Sequence, residues 1–232
     1  MRSILRPSKD GSFVADALRD LIVVVVSILA ALWLESWWQD RQSRAEEALL
    51  LAGLRTEFVA NRAQLVEKIA VWAGIVEAAE IAHRLMRKPL DEAAIAEAQT
   101  ALVDISLMSF FDPRQGQLSS LISSGKLGLV HSPGLRAKIA DWPSLVADLD
   151  LERAIALHDI TDGYFAYMTL YGDINWNDGT FDTEYQEIFT SRELDNLIGG
   201  LRTNMQRSIS EGNVILQATG EIIALIDDEL RG

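Results

Sequence analysis

Residues 21–38 read LIVVVVSILAALWLESWW, and the chain continues QDRQSRAEEALLLAGLRTEF to residue 58. The first fourteen of these carry no charge, and as a helix they rise ~21 Å, short of a hydrocarbon core of ~30 Å. The flanks complete the span. Residues 13–18 extend it on one side, and Glu35 to Trp38 on the other, where Trp33, Trp37 and Trp38 form an aromatic girdle suited to a membrane boundary. An Arg-bearing start and an apolar core of this length also fit a signal peptide, but no small-x-small cleavage site precedes the tryptophans, so the reading is a retained anchor. Arg2, Arg6, Lys9 and Arg19 precede the span, and Arg41, Arg44 and Arg55 follow it. Basic residues are retained on the cytoplasmic side, so this bias places the N-terminus inside. The expected organisation is a short cytoplasmic tail at 1–14, a transmembrane helix at 15–38 and a helical extramembrane domain at 39–232, in the inner membrane of a bacterium with the domain periplasmic.

One face of the span differs from the rest. At 100° per residue, Asp20, Ser27, Ala31 and Trp38 fall within ~20° of a common line and Glu35 lies ~60° away. Two readings stand. Ser27 and Ala31 form a small-xxx-small pair that lets helix backbones approach, which makes Asp20, Ser27, Ala31 and Glu35 a candidate interface between membrane helices. Alternatively, Asp20 and Glu35 mark the two water boundaries and Ser27 bonds its own backbone.

The chain carries 34 acidic and 21 basic residues, a formal charge of -13. Such a surface repels phosphate backbones, which argues against nucleic acid as a partner. There is no cysteine, so disulfides, thiolate nucleophiles and sulfur-ligated zinc are excluded.

Beyond the span, Leu51, Phe58, Leu65, Trp72, Ala79 and Met86 repeat every seven residues, with Leu54, Asn61, Lys68, Ile75 and Ala82 at the companion position. Asn61 and Lys68 interrupt a pure zipper. The reading is an amphipathic helix packed in its own chain's antiparallel bundle, with an intermolecular coiled coil as the alternative. Pro89 closes this helix, and Asp91 caps the next, which reaches about Leu107. A short helix at 117–124 ends at Gly125, the residue best suited to a left-handed cap. Ser132 as N-cap and Pro133 at the first position start another helix through Asp141. Pro143 is expected to begin a further one to about Tyr171, with Leu145, Leu149, Ile155, Ile160 and Tyr167 inward. Thr190 and Glu193 read as a capping box, followed by Leu194, Ile198, Leu201, Met205, Ile209, Gly212, Leu216, Thr219, Ile223, Ile226 and Leu230 at steps of three or four. The first and last long helices are close in length and are expected alongside each other. The fold class is all-α: a single N-terminal transmembrane helix continuing into an elongated antiparallel helical bundle.

Two stretches resemble a bacterial domain-of-unknown-function family of single-pass membrane proteins. One is the valine-rich span with its Trp-containing juxtamembrane segment and following helix, carried by Trp37, Trp38, Asp40, Arg41, Leu51, Leu54, Glu57 and Phe58. Where the family has Asn-Asn-Trp, this chain has Glu35-Ser36-Trp37. The other is LSSLISSGKLGLVHSPGLRAKIADW, similar to the family's Ser-Ser-Gly-Lys-Leu helix-break motif through Leu121, Ser123, Ser124, Gly125, Lys126, Leu127, Leu129, Leu135 and Arg136. The resemblance implies membrane attachment and no assigned reaction.

Catalytic and metal chemistry find little to stand on. His83, His131 and His158 are isolated, without a His or Glu at ligand spacing. Ser123, Ser124 and Lys126 could suggest a Ser-Lys nucleophile, but the helix-ending grammar around Gly125 accounts for them. Asp173, Asn175, Asn177 and Glu184 match calcium-loop positions 1, 3, 5 and 12. Asp178 occupies the position where that loop turns on a glycine, so a polar connector is the competing reading. No cofactor is expected. The chain reads as a membrane-anchored non-catalytic interaction or assembly module, an accessory subunit or homo-oligomeric scaffold, with the lipid bilayer and itself or another membrane protein as partners. The alternative is an oligomeric membrane sensor or ion channel gated through the helical domain; twenty residues before the span leave little room for a sensor's output domain.

Overall fold

A computed structural model describes the backbone of residues 10–172 and 183–231, and the side chains of these apart from 10–17 and 20. Every regular element among the described residues is helical, so the chain is all-α. It divides into two compact units, Met1–Leu49 and Leu50–Gly232. The first long helix, α1 (Asp10–Leu85), begins in one unit and ends in the other.

The second unit is built on the heptad seam of α1. Leu51, Leu54, Phe58, Asn61, Leu65, Trp72, Ile75, Ala79, Ala82 and Met86 are all buried. Apolar side chains at alternating steps of three and four make one helical stripe, and burying that stripe is what fixes the helix in place. Its partner is α7 (Arg192–Arg231). Arg55 pairs with Asp227, and His83 Nδ1 lies 2.8 Å from Asp195, so the two helices run antiparallel. At their crossing Gly212 faces Trp72 and Ile69, and a Cβ built there would sit 3.0 Å from Trp72 Cζ3. α4 (Pro133–His158) also packs against α7 and is antiparallel to it. Lys138 pairs with Glu221, and Trp142 Nε1 donates to Thr219 Oγ1 at 3.0 Å. Phe58 and Trp142 meet edge to face at 5.2 Å, which ties α1 to α4 and contributes ~1 kcal/mol beyond area burial.

Shorter elements close the two ends of this three-helix core. α2 (Glu92–Ile105) is capped by Asp91, whose side chain accepts from Ala94 N at 2.9 Å. It buries Ala98, Ala101, Leu102 and Ile105 against Ala78, Ala79, Ala82, Ile160 and Tyr164. α3 (Gly116–Ser123) buries Leu118 and Leu121 in the other cluster, with Leu54, Phe58 and Trp142. Gly125 follows at φ 70°, the left-handed cap expected of it, and a short 3-10 turn (Lys126–Leu129) leads on. Ser132 accepts from Leu135 N and Pro133 opens α4, also as expected.

Four expectations fail. Pro143 does not start a helix; it lies inside α4. An internal proline removes one helical donor and crowds the carbonyl four residues back, costing ~3 kcal/mol. Trp142, fully buried beside it, and Val146 and Leu149 on the same face hold the helix together across the defect. Starting the phase at Pro143 also misplaced the core: Ile155 is exposed, and Ala156 is buried instead. α4 then widens into a π-helix (Asp159–Phe165) before α5 (Ala166–Tyr171). The wider turn keeps Ala156, Ile160, Tyr164 and Met168, spaced by four, all in the core. The expected Thr190–Glu193 box is also displaced. After α6 (Tyr185–Ile188), Ser191 is the residue whose hydroxyl accepts from Leu194 N, and Thr190 Oγ1 turns back to donate to Glu187 O at 2.7 Å. On α7 the expected stripe holds at Leu194, Ile198, Leu201, Met205, Gly212, Thr219 and Ile226, all buried, and Asn204, Ser208, Ile215 and Ile222 join it; Ile209, Leu216 and Ile223 are partly buried at its flank, and Leu230 is exposed.

Candidate functional site

The feature that the fold leaves unexplained is the surface of α1 before residue 39. An 18-residue window in this part of the helix has mean hydropathy 2.0 and none of it is buried. Leu21, Ile22, Val23, Val24, Val26, Leu29 and Leu32 are each more than half exposed. An α-helix satisfies its own backbone hydrogen bonds, so such a segment is stable wherever its apolar side chains are solvated by something other than water. By length and composition it is a candidate membrane span. α7 reaches mean hydropathy 1.2 in one window, but 28% of that window is buried in the protein core, as its amphipathic packing requires.

The proposed interface residues fall as follows. Ser27 Oγ donates to Val23 O at 2.7 Å, so its hydroxyl is satisfied within its own helix. Ala31 lies one turn further on and is exposed. Glu35 accepts from Gln39 Nε2 at 3.3 Å. The side chain of Asp20 lies outside the described residues. Trp33 and Trp38 are exposed, and Trp37 carries the guanidinium of Arg41 over its ring at 5.6 Å. An indole under a cation presents an apolar body and a polar edge, the combination favoured at a headgroup layer.

A second polar constellation was visible in the sequence only as interruptions of the seam. Residues 109–118 form a strap held against α1 by four of its side chains. The Asn61 amide donates to Arg114 O and accepts from Arg114 N, both at 2.8 Å. Lys68 Nζ donates to Ser109 Oγ at 2.8 Å, and Trp72 Nε1 to Ser109 O at 2.7 Å. Glu57 accepts from Gln117 N and Leu118 N at 2.8 and 3.0 Å. A carboxylate receiving the free N–H groups of a helix start is a charge-assisted cap. Asn61 and Lys68 thus break the zipper because they serve a partner within the chain. Glu57 gave no such signal, since a glutamate on a helix flank is usually solvated.

The remaining candidates are scattered. His83 meets Asp195, which also receives Arg87 at 3.3 Å; His158 meets Asp162 one turn away at 2.9 Å. Ser123 and Ser124 hydroxyls donate to the carbonyls of Ser120 and Leu121. Of the calcium-loop residues, Asp173, Asn175 and Asn177 lie outside the described residues. Glu184 precedes α6, where its backbone carbonyl accepts from Glu187 N and Ile188 N. Among the described residues no group of three or more acidic or histidine side chains could hold a metal. An open groove of about 560 Å³ lies beside the π-helix, lined by Asp159, Arg192, Glu193, Asn196, Leu197 and Gly200, and the Asp159 carboxylate there accepts from Asn204 at 2.6 Å. Ion pairs on α7 are superficial: Arg55 holds the Asp227 carboxyl, and Lys138 that of Glu221, below the ordinary range. Comparison with family models, with curated proteins and with solved structures gave no match to this chain.

Proposed function

We propose that this chain is a membrane-anchored, non-catalytic assembly module of a bacterial inner membrane, with its N-terminus cytoplasmic and its helical domain periplasmic. The observation that carries the reading is the wholly exposed apolar surface of α1 over residues 21–38, joined to a second unit that holds its own buried core. The basic residues ahead of the span supply the direction. The resemblance of residues 21–58 and 118–142 to a single-pass membrane family supports the same reading. Within the span, Ser27 and Ala31 offer the face on which a neighbouring helix can come close.

The reading is tested by alkaline extraction of membranes and by a pair of reporters fused after Gly232. The chain stays in the pellet at high pH, and only the periplasm-active reporter gives signal. Release into the supernatant removes the anchor from the proposal; activity of the cytoplasmic reporter alone reverses its direction.

A further inference from the structure

The outer face of α1 in the second unit carries another heptad line that the fold does not use. Ala52, Thr56, Val59, Ala63, Val66, Ala70 and Ala73 recur at steps of four and three, all uncharged and all exposed. Val59 and Val66, at 43% and 48% exposure, are its large apolar members. The line lies roughly 150° round the helix from the buried seam. Beside it, between α1 and α7, runs a groove of about 420 Å³ lined by Val59, Ala63, Gly220, Ile223 and Ala224, with the charged Arg62 and Asp227 also in its lining. A Cβ added at Gly220 would meet nothing within 4 Å. An apolar line at this repeat is the seam that one helix presents to another.

The flanking charges say which helix. Arg62 immediately precedes the inward position Ala63, and Glu67 immediately follows the inward position Val66. In two parallel helices in register, the residue before one inward position faces the residue five places on in its partner, so Arg62 of each chain meets Glu67 of the other. An antiparallel pair would instead set each flank against its own kind. Arg62 makes no ion pair or hydrogen bond among the described residues, and Glu67 reaches only Lys68, at 4.0 Å, which itself donates to Ser109. Both charges are therefore available.

We propose that a second copy of this chain docks on this face, its α1 parallel to and in register with the first over residues 52–73. The inference rests on the assembly reading and names the partner. It places self-association outside the apolar span, on residues whose substitution leaves the buried core untouched.

The chain has no cysteine, so single cysteines report on this face without background. In membranes of cells expressing the full chain, mild oxidation links Val59→Cys, Ala63→Cys and Val66→Cys into species of twice the 25.7 kDa chain mass. Thr100→Cys on α2 and Gln206→Cys on α7, both exposed, do not link. In the Ala63→Cys background, Arg62→Glu or Glu67→Arg alone lowers the yield several-fold, and the two together restore it. Equal linking at seam and control positions, no linking at the seam, or no recovery in the charge swap overturns the proposal. Linked species of another mass also overturn it, by giving the face to a different protein. Alkaline extraction of the same membranes keeps the two readings apart: a chain that stays in the pellet but does not link sinks the seam and spares the anchor.

Discussion

Tyr164 is fully buried, and its hydroxyl donates to Leu102 O at 2.7 Å. That carbonyl lies in the last turn of α2, where the N–H that would normally reach it, on Ser106, turns instead to Val103 O. The phenol thus satisfies one of the orphan acceptors that every helix end leaves. Burial pushes the Tyr164 ionisation far above its ordinary value of 10.0, so the folded protein keeps it neutral while the unfolded chain ionises it. A raised folded-state pKa means that the contribution is complete below the unfolded value and declines as pH rises past it. Tyr164→Phe is expected to cost about 1–2 kcal/mol near neutral pH in urea unfolding. Above pH ~10 the gap between the two proteins should narrow, by about 1.4 kcal/mol per pH unit at its steepest. A gap independent of pH would mean that the phenol is not isolated from solvent.

At the scale of the element, Gly212 lets α7 pack tightly against Trp72 and Ile69 of α1. A Cβ there would lie 3.0 Å from Trp72 Cζ3 and 3.2 Å from Ile69 Cγ1, and Trp72 is in turn tied to the strap through Ser109. The two helices and the strap therefore shift together or not at all. Gly212→Val is expected to destabilise by about 1–3 kcal/mol, as overpacking does, even though valine and glycine differ little in helix propensity. Gly220→Ala, eight residues further along the same helix, meets open space and should gain stability by up to ~1 kcal/mol. Thermal melts of the two variants separate packing from propensity; equal shifts would remove the close approach as an explanation.

For the molecule as a whole, the two apolar clusters of the second unit are made entirely from residues after Leu50, with that leucine at the margin. A fragment of residues 50–232 is accordingly expected to fold without the apolar segment, giving a helical circular-dichroism spectrum, one cooperative melt and no pelleting with membranes. A molten spectrum or aggregation would show that the first unit is required for the core. The acidic balance falls mostly on this unit, since residues 1–20 hold four basic and three acidic side chains and are net positive by one. Mutual repulsion of such surfaces favours association only through a patch free of net charge.

How much of this was legible depends on whether a residue's role is set along one helix or between several. The heptad seam at 51–86, the caps at Asp91 and Ser132 and the left-handed Gly125 could be read directly, because each depends on spacing or backbone geometry within a few residues. The apolar window at 21–38 was equally plain, since hydropathy needs no partner. Pro143 could not be placed from sequence: propensity argues for a break, and the buried Trp142 and its bond to Thr219, 77 residues away, decide against it. Ser191 displaced Thr190 as the cap because α6 takes up the Thr190 hydroxyl at Glu187. Glu57 became a cap only when the strap folded against α1. Sequence determined where the helices with local caps begin and which stripe α1 buries. Tertiary packing decided where they continue through a defect, which polar groups are spent inside the chain, and which apolar line was left over on the surface, because each of those outcomes depends on groups brought together from distant parts of the chain.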